Sequence, residues 1–469
     1  MASRYAMAEV TELEDGSSDV AASDATTKTL QPSQTESDLE SPAPEPEPEP
    51  MSIPESVTFL RRKGHYTPDP EKQYRLKNSL LAGVGFLELA NAGDFAANVW
   101  NEVPVPLFAA ILMAFGGTLA LSISIFAFQD ARLSWRNIRL LRSERQYLLG
   151  RKAEDPDQAG RDLDGQLDVN FREMGTELVD RVGMDIVMGF GAVMVGTGTF
   201  LALGGANRAV FMASNLLSGY IGNAPVALYG TINAAWSAYV WRRAHRHGIA
   251  GAKQFKDDIV QRMLRRRIRT VKTHATLNGT AGIVAGAASL VTATLWYGYP
   301  ILVLCIISAI VCNYMWRRHI GYDRLLIRQP QRVDMMSLIK ELKSVASAQQ
   351  ILEEAPLESL RKLVWDPESI TSILDFIIKH GLFEDFCVRL LRNTALSTSL
   401  FGTLNEELTI DPQSLLAADK QFLPCFSEIA QTTISDIGST RFKYQERCLL
   451  EALGCYLYSS GIEITSEKC

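Results

Sequence analysis

Residues 275–316 read ATLNGTAGIVAGAASLVTATLWYGYPILVLCIISAIVCNYMW, a run of 42 residues without Asp, Glu, Lys or Arg. As one α-helix it would be roughly 63 Å long at ~1.5 Å per residue, whereas the apolar core of a bilayer is about 30 Å thick. The run must therefore cross twice. The Tyr297-Gly298-Tyr299-Pro300 sequence at its midpoint supplies turn residues and interfacial aromatics, so we expect helices at about 277–296 and 299–316.

Three more uncharged runs lie upstream, at residues 103–129, 186–207 and 209–241. Each is long enough to cross a bilayer, which takes about 20 apolar residues in a helix. Pro225 lies near the centre of the last run. That run predicts either one kinked helix or a short half-helix followed by a span from about residue 224 to 241. A sixth candidate, residues 79–101, is apolar except for Glu88 and Asp94.

The distribution of Lys and Arg favours six helices over five. Basic residues cluster before residue 79, after residue 129, between residues 242 and 275, and after residue 316. The connections near residues 102, 208 and 297–300 contain at most one basic residue each. Because basic loops stay on the cytosolic side, we expect three hairpins with short outer turns and both termini in the cytosol. Five helices would place the N-terminal tail on the side opposite the C-terminal region.

Charge divides the chain in a way that its net charge of −6 conceals: residues 1–57 carry −11, residues 58–329 carry +12 and residues 330–469 carry −7. The Pro/Glu repeat at 44–50 predicts a disordered, extended acidic tail. The sequence thus predicts an all-α membrane protein with a six-helix transmembrane bundle. Its segments are a disordered tail (1–57), a basic juxtamembrane segment (58–78), hairpin 1 (79–128), a cytosolic loop (129–185), hairpin 2 (186–241), a basic amphipathic loop (242–275), hairpin 3 (276–316) and a helical cytosolic domain (317–469).

Local signals support the helical C-terminal domain. Asp366-Pro367-Glu368 has the capping carboxylate and proline of a helix start, and Lys379 and His380 precede Gly381, a residue that favours the left-handed conformation ending a helix. Alternation typical of strands is almost absent. Further amphipathic helices are predicted at about 335–346, 383–392, 421–434 and 443–458.

Each predicted hairpin ends in an aromatic residue followed by arginine, a pattern typical of helix ends at the membrane interface. The pattern indicates either duplication of one hairpin or separate origins. A helix at 253–272 has one apolar face, so it is expected to lie on anionic lipid headgroups, at about 1 kcal/mol per basic side chain; a plain basic loop is the alternative. With a single aromatic residue it does not indicate nucleic-acid binding. The predicted interface anchors are Trp135, Arg136, Trp241, Arg242, Arg243, Arg265, Arg266, Arg267, Trp316, Arg317 and Arg318.

Polar residues at helical spacing form the candidate site within the membrane. Glu88, Asn91, Asp94 and Asn98 share one arc of a helix, where a carboxylate can act as a proton relay or cation ligand. The alternative is that only Glu88 lies deep, in a structural hydrogen bond. Asn223 and Pro225 mark a second candidate, an interrupted helix.

Signatures of catalysis are missing from the sequence. It has no phosphate-binding loop, dinucleotide fingerprint, nucleophile elbow, HExxH or paired-cysteine motif. The arginines around His245, His247 and His319 would repel a metal cation. We therefore predict no enzyme activity, cofactor or metal, although a site assembled only in the folded chain would leave no such motif. The seven cysteines, without CxxC spacing, indicate free thiols in a reducing compartment.

These observations predict a non-enzymatic membrane scaffold, because the outer turns are short and the remaining mass lies on the cytosolic side. The tail and the C-terminal domain would recruit a cytosolic protein. The alternative is a small-solute or proton-coupled transporter or channel that uses Glu88 and Asp94. Small residues at four-residue spacing, such as Gly282 and Gly286, indicate close helix packing within the bundle or between copies in a homo-oligomer.

Overall fold

The chain is described from a computed structural model, which covers residues 56–62, 65–70, 72, 74–100, 105–154, 160–254, 259–327, 335–402 and 406–466. The predicted tail at 1–57 lies outside these residues except for its last two. The described part is almost entirely helical, as predicted, with short strands only. Its first half contains strands β1 (Val57–Arg62), β2 (His65–Pro68) and β3 (Arg75–Leu76), a 3₁₀ helix (Ala82–Ala92), and helices α1 (Phe95–Val99), α2 (Leu107–Glu154), α3 (Gly160–Gly175), α4 (Met184–Ala202), α5 (Arg208–Asn215), α6 (Asn223–Gln254), α7 (Ile259–Thr292) and α8 (Gly298–Met315).

Within the part of the chain that the structure describes, four helices are long and apolar enough to cross a membrane. They are α2, the continuous helix Leu163–Ala202 that contains α4, α7, and the helix Gly298–Ile320 that contains α8. Neither α6 nor the 3₁₀ helix is among these four. The turn expected at 297–300 lies slightly earlier, at residues 293–297 between α7 and α8, because Gly298, Tyr299 and Pro300 already form the first turn of α8.

The predicted loops at 129–185 and 242–275 are largely helical. Helix α2 continues without a break through residue 154, and α3 joins α4 through a π-helical turn at Thr176–Gly183. Helix α6 likewise runs to Gln254 and α7 begins at Ile259. The reason is that an amphipathic helix remains stable beyond an apolar span wherever another element covers its apolar face.

In place of the single helix predicted at 79–101, the described residues contain the 3₁₀ helix Ala82–Ala92 followed by the short α1. This segment packs against α2, where Gly116 approaches it closely: a Cβ on Gly116 would lie only 2.1 Å from the Gly93 carbonyl oxygen. Small residues elsewhere serve the same purpose. A Cβ on Gly230 would meet the Gly282 carbonyl oxygen at 2.5 Å, so these predicted ridges pack within the chain.

The second half consists of β4 (Arg324–Leu325) and the C-terminal domain, residues 335–466. The domain contains α9 (Met335–Glu354), α10 (Ser359–Leu363), α11 (Ile370–Lys379), α12 (Phe383–Arg392), α13 (Thr394–Phe401), β5 (Glu407–Ile410), α14 (Pro412–Leu416), α15 (Leu423–Thr433) and α16 (Ser439–Ser466). Helix α11 begins at Ile370, after a turn in which Asp366 accepts the Glu368 N–H, so the predicted start was a few residues early. Gly381 has φ 64° and ends α11 as predicted.

The predicted juxtamembrane segment 58–78 contains strands that complete the C-terminal domain. β1 pairs antiparallel with β2 on one side and with β5 on the other, and Phe59 faces Leu408. The Phe59 side chain is fully buried in the domain core beside Val345, Phe386 and Phe442. The N-terminal strand is therefore part of the C-terminal domain's core.

The apolar face of the predicted amphipathic helix at 253–272 contacts protein. Val260 and Leu264 of α7 are buried in one cluster with residues of α9 and α16, namely Leu338, Leu342, Leu450, Leu453 and Leu457. This part of the face therefore lies against the C-terminal domain, whereas Ile259 at its start is exposed. The C-terminal domain provides a large enough apolar surface to cover the buried part.

Candidate functional site

A line of polar side chains follows the buried side of the 3₁₀ helix. Residues three apart stack directly in a helix with three residues per turn, which brings Glu88 and Asn91 together. Glu88 is 6% exposed and accepts a 2.9 Å hydrogen bond from the Asn91 side-chain amide. Phe86 and Phe95 are exposed on the outside of the segment.

Asp94 lies further along the same side and is fully buried. Its carboxylate accepts hydrogen bonds from the Tyr299 hydroxyl at 2.9 Å and the Asn98 amide at 3.0 Å. Asn98 also donates to the Tyr299 oxygen at 2.8 Å, so the group ties this segment to α8. Among the described residues, no Lys or Arg nitrogen lies within 4 Å of the Glu88 or Asp94 carboxylate.

Asn223 and Pro225 lie in the first turn of α6. The buried Asn223 amide donates to the carbonyl oxygens of Ser218 at 3.0 Å and of Ser289, in α7, at 3.1 Å. A proline is tolerated in a first helical turn because the N–H it lacks would have no partner there. Helix α5 and a π-helical turn at Leu216–Ile221 precede α6, and Asn215, Leu216 and Gly222 all keep right-handed helical dihedrals, so the irregularity lies before Pro225.

The strongest electrostatic feature is a set of buried arginines on the side of the bundle that faces the C-terminal domain. Arg181, in the π-helical turn, donates to Asp130 of α2 at 2.9 Å and to Glu177 at 2.8 Å. Glu177 also accepts from the Tyr322 hydroxyl at 2.6 Å. π-helical turns are frequent at functional positions, and this one places Arg181 between two carboxylates.

Arg324 forms the second cluster. Its guanidinium donates to Glu144 of α2 at 2.6 Å and to Glu173 of α3 at 2.7 Å, and all three side chains are largely buried. Glu144 also accepts the Ile327 backbone N–H at 2.7 Å. This cluster fixes the chain after α8 against the extended ends of α2 and α3.

Arg243 forms the third cluster, where α3, α6 and α16 meet. It donates to Asp168 at 2.7 Å and to Glu451, and its Nη2 lies 3.0 Å from the Cys455 sulfur. Burial would raise the pKa of Glu451, but Arg172 and Arg243 hold it well below its ordinary value.

His247 is packed into the same cluster and is 5% exposed. Burial, together with the positive charge of Arg243, lowers the pKa of His247 from 6.5 to about 4, so the imidazole is neutral at pH 7. Burial also raises the pKa of the Cys455 thiol. Asp168, His247 and Cys455 each place one possible metal-ligand atom within 4.8 Å of the others. Arg243 already occupies that space, and a metal cation would have to displace its guanidinium.

The predicted interface anchors fall into two groups. Exposed or partly exposed residues are Trp135, Arg136, Trp241, Arg242, Arg265, Arg266, Arg317 and Arg318. Arg243, Arg267 and Trp316 are buried. Trp316 packs with Tyr322 in a core cluster. The three hairpin ends therefore share a sequence pattern, but the third tryptophan is buried and the other two are exposed.

The buried clusters were missed at the level of sequence, although one signal was available. Asn170, Glu173, Glu177, Arg181 and Asp185 recur every three or four residues along one helix that leads into an apolar run. This spacing places them on one face. A polar stripe beside an apolar run indicates contact with a second charged element.

Comparisons with protein-family models, with curated proteins and with solved structures found no match for this chain.

Proposed function

We propose that this chain is a multi-pass integral membrane protein that acts as a non-enzymatic scaffold, with its C-terminal domain held at a fixed position on the cytosolic face of the bundle. The observation that carries this proposal is the junction at Arg243 of α6, whose guanidinium bridges Asp168 of α3 and Glu451 of α16 in the C-terminal domain. Removing one member of such a buried set is costly, so the domain does not swing on a flexible tether.

The proposed topology has six membrane segments and cytosolic termini. Hairpin connections and exposed apolar helix surfaces support it, as do the exposed arginines beyond Trp135, Trp241 and Trp316. The test inserts glycosylation sequons separately into a lengthened turn between α7 and α8 and into the 150–165 region. We expect modification of the first sequon only, because acceptors must face the lumen. Modification of the second sequon would show that the topology is the inverse of the proposed one.

Trp365 is the best candidate for a partner contact on the C-terminal domain. It lies in the turn between α10 and α11 and is 98% exposed, the highest exposure of any large apolar residue described. Tryptophan is enriched among the residues that dominate protein interfaces. Leaving so large an apolar side chain in water is unfavourable, and a bound protein would cover it.

The scaffold role is tested by purifying the full-length protein from native membranes in mild detergent. Quantitative mass spectrometry should find a partner that co-purifies with the wild type and is reduced at least tenfold by Trp365→Ser. Met336→Ser is the matched control, because Met336 is also exposed in the C-terminal domain but lies on α9. Equal recovery of every co-purifying protein with both variants would contradict the partner site.

Anionic lipid headgroups are the proposed partner of the exposed side of α7. Arg262, Arg265, Arg266 and Arg269 are all exposed there, while Val260 and Leu264 face the C-terminal domain. The contact would be electrostatic alone, at about 1 kcal/mol per basic residue. Binding of the detergent-solubilised protein to immobilised phosphatidylserine should therefore weaken at high salt.

A second candidate function, proton-coupled transport, is favoured by one specific observation. Glu88 and Asp94 are buried without a cationic partner among the described residues, and carboxylates inside membranes commonly mark ion or proton pathways. Proton-driven flux in reconstituted vesicles should fall by at least tenfold in Glu88→Gln or Asp94→Asn. If the wild type shows no flux, or if both variants show the same flux as the wild type, the scaffold is the only remaining proposal.

A further inference from the structure

A cavity of about 580 Å³ lies where the C-terminal domain meets the ends of the bundle helices. Its walls come from β1, α3, the segment around β4, α11, α12 and α16. Its volume is within the roughly 300–1,000 Å³ of small-molecule sites. Neither proposed function uses this cavity.

The charges of the lining are unbalanced in favour of cations. Six lining residues are basic and four are acidic: Lys72, Arg75, Arg172, Arg267, Arg324 and Arg447 against Asp69, Glu173, Glu384 and Glu451. Arg75 pairs with Asp323, Lys72 with Glu407, and Arg324 with Glu144 and Glu173. Of the lining carboxylates, Glu384 pairs with Lys77, and Glu451 with Arg243 and Arg172. Arg267 and Arg447 are therefore the lining cations without an ion pair among the described residues.

Arg267 and Arg447 have no carboxylate within 4 Å among the residues that the structure describes. Arg267 donates to the carbonyl oxygens of His319 at 2.8 Å and Ile320 at 3.1 Å. Arg447 donates to the carbonyl oxygens of Gly321, at 2.9 Å, and of Arg318. A guanidinium carries five N–H groups, so each arginine keeps donors and its full charge for an anion.

Arg172 adds a third partly compensated cation. Its nearest carboxylate oxygens are those of Glu451 at 3.6 Å and Glu173 at 3.9 Å, and Glu451 is shared with Arg243. Arginine is the side chain best suited to carboxylate and phosphate groups, because it can donate two parallel hydrogen bonds.

The uncharged lining contains polar residues, among them Gln166, Gln445 and Ser459, and also an apolar set. This apolar wall is formed by Val169, Ile327, Ile378, Phe383, Leu449 and Ala452. An inorganic anion would contact the arginines and leave this surface in water. A chain of methylene groups along it would gain about 0.8 kcal/mol per buried CH₂.

We propose that this cavity binds an anionic amphiphile, with a carboxylate or phosphate head at Arg267 and Arg447 and an apolar chain along the wall that contains Ala452. The ligand enters either from the adjacent membrane leaflet or from solution, and the head-and-chain chemistry is the same for both. The site is independent of Trp365, Glu88 and Asp94, so its test and those of the proposed functions can fail separately.

The full-length protein in a non-ionic maltoside detergent is probed by native mass spectrometry with oleoyl lysophosphatidate and with oleate. We expect one bound molecule of either probe. Oleoyl lysophosphatidylcholine, which carries a balancing positive charge, should bind at least tenfold more weakly. Competition by two-chain phosphatidate indicates a membrane lipid as the source, whereas competition by the single-chain probes alone indicates a soluble one.

Two variants test the two halves of the site, the cationic end and the apolar wall. Arg447→Gln removes a cation and Ala452→Phe fills the space beside the apolar wall, and each should weaken binding of oleoyl lysophosphatidate at least tenfold. Arg392→Gln is the matched control, because it removes one exposed positive charge outside the cavity. If Arg447→Gln does not fold, Ala452→Phe still decides the question with every arginine in place.

Three results would overturn the proposal. One is equal binding of the anionic and the zwitterionic probe. Another is wild-type affinity in a folded Ala452→Phe variant. The last is complete competition by inorganic phosphate at the concentration of the lipid probe, which would indicate a site for small anions without a chain.

Discussion

Acidification should destabilise the packing of the C-terminal domain on the bundle through His247. In the folded chain this imidazole has a pKa of about 4, against 6.5 for an unperturbed histidine, because it is buried beside Arg243. The other charged groups facing it are Asp168 and Arg172 on α3, and Glu451 on α16. His247 must therefore remain neutral for the domain to stay packed.

The direction and the size of this change in stability follow from proton linkage. Between pH 6.5 and 4 the unfolded state binds a proton that the folded state does not, so stability is complete above pH 6.5 and falls as the pH drops. At about pH 5 the loss is roughly 2 kcal/mol, from 1.36 kcal/mol for each of ~1.5 pH units. Glu451 has a lowered pKa, so its contribution stays complete above its unfolded value of 4.5 and does not alter this window.

The assay is guanidinium unfolding of the full-length protein in non-ionic detergent, followed by tryptophan fluorescence at about pH 7.5 and pH 5. His247→Gln should remove about 2 kcal/mol of the wild-type difference, while His274 and His380, whose pKa values burial also lowers, leave a residual one. His245→Gln is the control, since His245 precedes His247 by two residues and is exposed. A wild-type pH difference that persists unchanged in His247→Gln would refute this reasoning.

Three further substitutions should act through packing and charge. Arg324→Met leaves two buried carboxylates without their cation and should cost about 3–5 kcal/mol of unfolding free energy, whereas Arg389→Met, at a partly exposed pair, should cost less than about 1 kcal/mol. Phe59→Ala should cost about 3–5 kcal/mol of unfolding free energy, because removing the ring leaves a cavity in the core of the C-terminal domain. It should also make residues 335–466 sensitive to limited proteolysis. Gly116→Leu should overpack the contact with Gly93, cost about 1–3 kcal/mol or more of unfolding free energy, and lower the thermal midpoint in detergent. Gly150→Leu should not, because Gly150 has open space around it.

The sequence predicted those features whose causes are local. The end of α11 is one example: Gly381 can adopt a positive φ at no steric cost, and Lys379 lies in the last turn before it. Helix α12 has the predicted bounds, Phe383–Arg392, since its apolar residues recur at helical spacing. The membrane-length helices were equally visible, because hydropathy is a property of a contiguous run.

Features that depend on distant parts of the chain were not predictable in the same way. β1 is only six residues long and carries Arg61 and Arg62, so it has the composition of a basic juxtamembrane segment. Its partner β5 lies more than three hundred residues later, and nothing within β1 identifies that partner. The 3₁₀ geometry of residues 82–92 is likewise set by neighbours, since Gly93 approaches Gly116 of α2 closely.

Dependence on distant residues also explains why the sequence assigned the same role to all the arginines near the helix ends. Counting basic residues gives Arg242 and Arg243 equal weight, yet the first is exposed and the second is buried between Asp168 and Glu451. Burying such a set gains little over an apolar contact of the same size, because the charges must lose their water. Its consequence is selectivity: a shifted docking of α16 would leave Glu451 buried without a cation. We infer that these charges specify where the C-terminal domain sits on the bundle, while the apolar cluster around Leu264 supplies the stability of the contact.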